Sequence, residues 1–107
     1  MAARIMQLLE EPIIRMKFIF MVFHYPKPDH RESLLKGMSE TASFFKGKPG
    51  FIDAGAWVDE NNPECLVGVS FWNSKQAFFD AGMTFAKPDE IVAGETKPRE
   101  RFFFERM

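Results

Sequence analysis

Residues 17–25 read KFIFMVFHY, and this stretch decides the fold. Aromatic and β-branched residues dominate it, which favours a strand, and successive side chains of a strand point to opposite faces of a sheet. Both alternating sets are apolar here: Phe18, Phe20 and Val22 on one face, and Ile19, Met21 and Phe23 on the other. A strand with two apolar faces is buried on both sides. We therefore predict a strand in a sheet that is covered on each face.

A helix is predicted directly after this strand. Asp29, with Glu32 three residues later, has the spacing of a capping box at a helix start. Gly47 followed by Pro49 is the usual order of residues at a helix end. Between these signals, apolar residues recur at helical spacing at Leu34, Met38, Ala42 and Phe45.

The rest of the chain supplies three more strands and one more helix. The stretches 51–59 and 65–72 flank a turn at 60–63, which is the pattern of an antiparallel hairpin. Asn73 is predicted to cap a second helix, and residues 100–106 are predicted to form the last strand. The order β-α-β-β-α-β predicts an α+β, ferredoxin-like fold with a four-stranded antiparallel sheet and both helices on one face.

Two helices on one face leave the other face of the sheet uncovered. The first strand and the third strand, at 65–72, are both apolar on each face. An exposed apolar face of this size favours association, and the simplest cover is the same face of a second copy. We therefore expect a homodimer through sheet-to-sheet packing, which makes a dimeric α/β barrel.

Length and composition set the remaining limits. The 107 residues fit one domain, which we place at 16–107 after an N-terminal extension at 1–15. A net charge of −1 with both signs interleaved predicts neither nucleic-acid nor membrane binding. The single cysteine, Cys65, excludes an internal disulfide and fits a cytoplasmic protein. Two histidines and one cysteine imply no metal site, and no phosphate-binding or other cofactor motif occurs.

The hairpin and second helix carry a family resemblance. Residues 48–82 read KPGFIDAGAWVDENNPECLVGVSFWNSKQAFFDAG, with Pro49-Gly50-Phe51 before a strand and Trp72 closing the next one. This pattern resembles the antibiotic-biosynthesis-monooxygenase type of dimeric α/β barrel over about residues 16–106. The resemblance implies oxidation of electron-rich aromatics by O₂ without a cofactor, in a pocket between the sheet and the helices.

A haem-degrading branch shares that fold, and the sequence argues against it. The resemblance would require an Asn on the first strand, a Trp closing the third, and a His on the following helix. Only Trp72 matches, because the first strand has no Asn and no histidine follows His30. The axial ligand of a haem is therefore missing, and we expect no haem degradation.

Trp72 has two interpretations. In one it lines the substrate pocket, stacking on a flat substrate and donating a hydrogen bond from its indole N–H. In the other it is a core residue that covers the turn into the helix. The other predicted wall residues for an apolar or aromatic ligand are Phe20, Phe45 and Phe78.

His24 is the candidate catalytic base. It is the one histidine inside a predicted element, and its ordinary pKa of about 6.5 suits proton transfer at neutral pH. It would deprotonate a phenol or quinol to make the ring electron-rich enough for O₂. The alternative is a strand-end histidine that faces solvent. The charged run at 97–101 is interpreted as a solvated edge, with binding of an anionic substrate as the alternative.

Two functions are therefore carried forward. One is a cofactor-independent monooxygenase that oxidises a small quinol-like or polyphenol-like aromatic. The other is a non-catalytic dimeric protein of the same fold that binds a small ligand or serves in stress. An enclosed cavity that Trp72 borders and that reaches a titratable side chain would favour the first. A space filled by Met38, Phe45 and Phe78 would exclude both binding and catalysis there.

Overall fold

The predicted ferredoxin-like fold is confirmed by a computed structural model, which describes residues 15–107. Its elements are β1 (Phe18–His24), α1 (Arg31–Phe45), β2 (Phe51–Asp59), β3 (Asn62–Trp72), α2 (Lys75–Asp80) and β4 (Glu100–Glu105). A 3-10 turn at Pro28–His30 leads into α1. The extension predicted at 1–15 lies outside the described residues, except for residue 15.

The four strands form one antiparallel sheet in the order β2-β3-β1-β4. The register sets Phe18 opposite Trp72 and His24 opposite Leu66, so Trp72 and His24 lie at opposite ends of the β1–β3 pair. Six residues separate those ends along β1, which is roughly 20 Å. The strand that is apolar on both faces thus runs through the interior of the sheet.

The helix face of the sheet carries the larger core. It consists of Phe18, Phe20, Phe45, Trp72, Phe78 and Ala81. Trp72 is 0% exposed, and the centroids of the Phe45 and Phe78 rings lie 4.9 Å and 5.6 Å from its own, both edge-on. Aromatic pairs in this geometry add to the stabilisation from buried area alone.

The opposite face of the sheet is also apolar. Cys65, Val67 and Val69 are buried there, packed against partly buried side chains of β1 and β3. Around them lie Trp57, which is 60% exposed, and the exposed rings of Phe102 and Phe104. In the text below this surface is called the back face.

Each helix N-cap lies one residue after the position that the sequence predicted. Residues 28–30 take a 3-10 turn, so α1 begins at Arg31 with His30 as its N-cap, and no capping side chain bonds the helix. The N-cap of α2 is Ser74, whose Oγ accepts from the N–H of Ala77 at 3.1 Å. Asn73 precedes this N-cap by one residue, and its backbone N–H donates to the Gly50 carbonyl at 2.9 Å.

Residues 82–99 contain no helix or strand, yet backbone bonds join their end to the end of β1. The N–H of Thr96 donates to the Tyr25 carbonyl at 2.8 Å, and the N–H of Lys27 donates to the Gly94 carbonyl at 2.9 Å. Near the start of the segment, Phe85 packs on Phe20 with ring centroids 5.4 Å apart. None of the helices in the described chain is long and apolar enough to cross a membrane.

Two glycines test these contacts in opposite directions. Gly94 has φ +87° and lies so close to the His30 ring that a Cβ would overlap it, so we expect Gly94→Ala to destabilise the fold by roughly 1–3 kcal/mol.

Gly37 lies inside α1 with no atom within 4 Å of an added Cβ, so we expect Gly37→Ala to stabilise the fold by about 0.5–1 kcal/mol. Urea unfolding of both variants measures the two changes. Equal shifts in the same direction would contradict this description of the loop and the helix.

Candidate functional site

A cavity of about 260 Å³ lies between α1 and the helix face of the sheet. Small residues create it: α1 contributes Gly37 and Ala42 to its wall, and the strands contribute Ala54 and Gly68. A Cβ on Gly68 would come within 3.4 Å of the Met38 side chain, so this glycine keeps part of the space open. An engineered apolar cavity of about 150 Å³ holds benzene, and this one therefore has room for a ligand of one or two rings.

Two of the four predicted wall residues line the cavity. Phe20 and Phe45 do so, whereas Trp72 and Phe78 do not. Phe78 is 1% exposed and lies behind Phe20, with ring centroids 4.8 Å apart. Trp72 is thus a core residue, as in the second of its two interpretations, and it does not line the cavity.

His24 also lines the cavity, and it is buried rather than solvent-facing. Its Nε2 is directed toward Gly68, 3.8 Å from the position of an added Cβ. Its Nδ1 is buried and makes no hydrogen bond, because the nearest acceptor, Oε1 of Glu95, is 3.6 Å away. The candidate base is therefore placed at the cavity, and its catalytic role stays a prediction.

Buried Glu95 and half-buried Arg99 form an ion pair beside this histidine. Arg99 Nε lies 2.9 Å and Nη2 lies 2.6 Å from Glu95 Oε2, and the Glu95 side chain is fully buried. Arg99 lines the cavity as well. The interpretation of residues 97–101 as a solvated edge is thus wrong at Arg99. Such geometry is the strong, charge-assisted kind, and it fixes both side chains.

The environment of His24 keeps its ring neutral. Burial, followed by the positive charge of Arg99, lowers the pKa of His24 to about 4, while the Glu95 carboxylate opposes the shift. At pH 7 the imidazole is uncharged, so one ring nitrogen carries a proton and the other accepts. The cavity therefore offers a hydrogen-bond acceptor together with the positive charge of Arg99.

Ser70 is a further polar group of the cavity, and no sequence pattern indicated it. It is 3% exposed and lines the cavity on β3. Its Oγ accepts a hydrogen bond of 2.9 Å from the indole N–H of Trp72. Trp72 thus reaches the cavity only through this hydroxyl.

The lone thiol lies away from the cavity. Cys65 is buried on the back face, and burial raises the pKa of its thiol, so it stays protonated. The hydroxyl of Tyr25, near by, donates to Glu100, and that bond raises the pKa of Tyr25. No group of three or more His, Cys, Asp or Glu side chains that could hold a metal ion occurs within residues 15–107.

The lowered pKa of His24 makes stability depend on pH. Between pH 6.5 and about 4 the unfolded chain binds a proton at this residue and the folded chain does not, so stability is lost as pH falls through that window. At pH 4.5, below 6.5 and still above about 4, this loss amounts to roughly 2 kcal/mol. We expect the free energy of unfolding of His24→Gln to fall by about 2 kcal/mol less than that of wild type between pH 7 and pH 4.5, in urea titrations. His30→Gln is the control, and an equal pH dependence in wild type and His24→Gln would contradict the burial of a neutral ring.

The fold is shared with solved structures of low sequence identity. No protein-family model matches the sequence, and none of the curated proteins matches it. A structure of an antibiotic biosynthesis monooxygenase is similar with a TM-score of 0.65 at 15% identity, over 84% of this chain and 98% of that one.

Two of the similar structures are oxygenases from Streptomyces. A monooxygenase of Streptomyces coelicolor, solved in complex with the ligand nanaomycin D, has a TM-score of 0.62 at 16% identity, over 87% of this chain and 89% of that one. A cofactor-independent oxygenase of Streptomyces nogalater, in a mutant form, has a TM-score of 0.61 at 18% identity, over 84% and 92% of the two chains. The chain therefore has the fold of the antibiotic biosynthesis monooxygenase structures.

Proposed function

We propose that this protein is a cofactor-independent monooxygenase that oxidises a small hydroxylated aromatic with O₂ in the cavity between α1 and the sheet. The observation that carries the proposal is an apolar cavity of about 260 Å³ that reaches one buried, neutral histidine. Similar folds in two Streptomyces oxygenases support the reaction class. The substrate itself supplies the electrons, so the protein has to bind, orient and desolvate it.

The cavity suits a flat ligand that has one hydroxyl. Phe20 and Phe45 offer apolar contact to its rings, and His24 lies where it can accept the hydroxyl proton. For a phenol such as 1-naphthol the overall reaction is C₁₀H₈O + O₂ → C₁₀H₆O₂ + H₂O. One oxygen atom becomes the new ring carbonyl, and the other leaves as water with the O–H and C–H hydrogens.

The pKa values of the phenol and of His24 decide when the hydroxyl proton is transferred. A phenol with a pKa of about 10 is a far weaker acid than the protonated form of His24, whose pKa burial lowers to about 4, so full proton transfer from phenol to imidazole is unfavourable. The sequence analysis predicted that His24 deprotonates the phenol before O₂ reacts, and these pKa values disfavour that order of events. Loss of an electron to O₂ makes the hydroxyl far more acidic, so the proton passes to His24 as that electron leaves. Arg99 then offers positive charge to the reduced oxygen species in the same cavity.

The same pKa favours a second candidate, a binding protein. A histidine that is a weak base accepts a hydrogen bond from a bound hydroxyl without taking its proton. Such a site holds a small hydroxylated aromatic without oxidising it. Tight binding without oxygen consumption would distinguish this function from the first.

We also propose that a second copy of the chain covers the back face. Four strands spaced about 4.8 Å apart, each six residues long with a rise of about 3.3 Å per residue, give this face a flat area of roughly 400 Å². Trp57, Phe102 and Phe104 are exposed on it. An exposed apolar patch of this size is often functional, and a two-fold axis lets the same rings meet their own copies.

Oxygen uptake tests the proposed reaction. The panel is a set of one-ring and two-ring phenols and quinols, 1-naphthol among them, with the quinone product followed by absorbance. We expect consumption of one O₂ per 1-naphthol, with a rate 10²–10⁴-fold lower in His24→Gln because the proton acceptor is lost. His30→Gln is the matched control, since that histidine does not line the cavity.

Two results would overturn the oxygenase proposal. One is the absence of uptake with every compound of the panel while calorimetry shows that some of them bind. The other is an unchanged rate in His24→Gln. Heat-stable uptake that persists after denaturation would also count against it, since it would come from uncatalysed oxidation.

A further inference from the structure

We infer that Ser70 is the hydrogen-bond donor of the cavity, that Trp72 positions it, and that the ligands bound most tightly therefore carry an acceptor oxygen besides their hydroxyl. This inference rests on the same cavity as the proposed function and adds to it a preference among hydroxylated aromatics for those with a second, accepting oxygen. It concerns binding alone, so it does not depend on turnover.

The first step of the argument is the hydrogen bond between Trp72 and Ser70. A serine hydroxyl has one proton to donate and two positions at which to accept. The indole N–H can only donate, and at 2.9 Å it takes one of the two accepting positions of Ser70 Oγ. Among the hydrogen bonds of the described chain, Ser70 Oγ takes part in this one alone, and there it is the acceptor. The hydroxyl proton of Ser70 is therefore free to be donated to a ligand.

The surroundings direct that proton into the cavity. Cross-strand neighbours of Ser70 on its face are Phe20 of β1 and Ala54 of β2, and neither side chain can accept a hydrogen bond. Both of them line the cavity beside Ser70. A donor that is 97% shielded and has no protein acceptor is costly to leave unpaired, which favours a ligand oxygen at this place.

Thr41 is the other hydroxyl of the cavity, and it is already used. Its Oγ1 donates to the Gly37 carbonyl at 3.0 Å, four residues earlier in α1. Its proton is therefore directed along the helix rather than toward a ligand. Ser70 is thus the donor among the two cavity hydroxyls.

Ser70 and His24 open on the same part of the cavity. Ser70 lies opposite Phe20 in the register, and His24 is four residues further along β1 on the same face, but its Nε2 is directed back toward Gly68, two residues from Ser70. The serine hydroxyl and the ring nitrogen are thus closer together than the two backbone positions, so one ligand with a hydroxyl and a second oxygen can meet both groups.

A matched pair of ligands tests the inference. In 4-methoxy-1-naphthol the oxygen opposite the hydroxyl accepts a hydrogen bond, whereas 4-ethyl-1-naphthol has a CH₂ of similar size there. Titration under argon by calorimetry gives the ratio of their affinities without oxidation. We expect wild type to bind the methoxy compound about 3–10-fold more tightly than the ethyl compound.

Variants then assign the preference to Ser70. We expect the ratio to fall to about one in Ser70→Ala and to stay at the wild-type value in Thr41→Val. Trp72→Phe keeps a ring in the core but removes the N–H, so the ratio should fall there too, and should fall no further in the double variant with Ser70→Ala. A merely structural effect of Trp72 would weaken both ligands equally and leave the ratio unchanged.

The outcomes separate this inference from the proposed function. A wild-type ratio of one, or a ratio that survives Ser70→Ala, overturns the inference even if oxygen is consumed. An intact, Ser70-dependent ratio supports it even if no oxygen is consumed. A ratio that falls in Ser70→Ala but not in Trp72→Phe keeps Ser70 as donor and removes the positioning role of Trp72.

Discussion

A sheet that is apolar on both faces has to be covered on both, and this constraint organises the molecule. On one face, α1 and α2 cover the sheet with a core of aromatic rings around Trp72. On the other, Cys65, Val67 and Val69 are buried while Trp57 and two rings of β4 remain exposed. The two faces thus differ in kind: one is closed by the chain itself, and the other is left for the second copy that we propose.

The closed face is not filled completely, and the space that remains is where function is expected. Glycine and alanine face each other across it from α1 and the strands, at positions where larger side chains would pack more tightly. An unfilled cavity lowers stability, because its lining loses contacts. Its polar groups are few and each is fixed: His24 by burial, Arg99 by Glu95, and Ser70 by Trp72. Fixed groups around open space are the arrangement that a small ligand requires.

The sequence predicted the architecture because alternation and helical spacing report which face a residue occupies. The strand at 17–25, the hairpin and the last strand all form where their patterns indicated. Helix starts were less accurate, since the 3-10 turn at Pro28–His30 and the bond from Asn73 to Gly50 are tertiary features. Periodicity also does not report depth. It placed Trp72 and Phe78 on the correct face, and it could not show that they lie behind the cavity wall that Phe20 and Phe45 form.

The groups that surround His24 were beyond the reach of pattern analysis. Glu95 and Arg99 belong to a segment without regular structure, and only the folding of that segment against the end of β1 buries Glu95 and brings Arg99 to it. Ser70 is a small polar residue in an apolar strand, and its importance comes from one hydrogen bond with a residue two positions away. The lowered pKa of His24 follows from burial and from the positive charge of Arg99, neither of which the residues next to it in sequence reveal.

The claim on which the account depends most is that both apolar faces of the sheet are covered in solution. Sedimentation equilibrium of the full chain at micromolar concentration measures it directly. The account predicts a particle of twice the 12.4 kDa chain mass, which dissociates when Trp57 and Phe102 are both replaced by lysine. A stable particle of one chain mass, with the back face open to solvent, would contradict it.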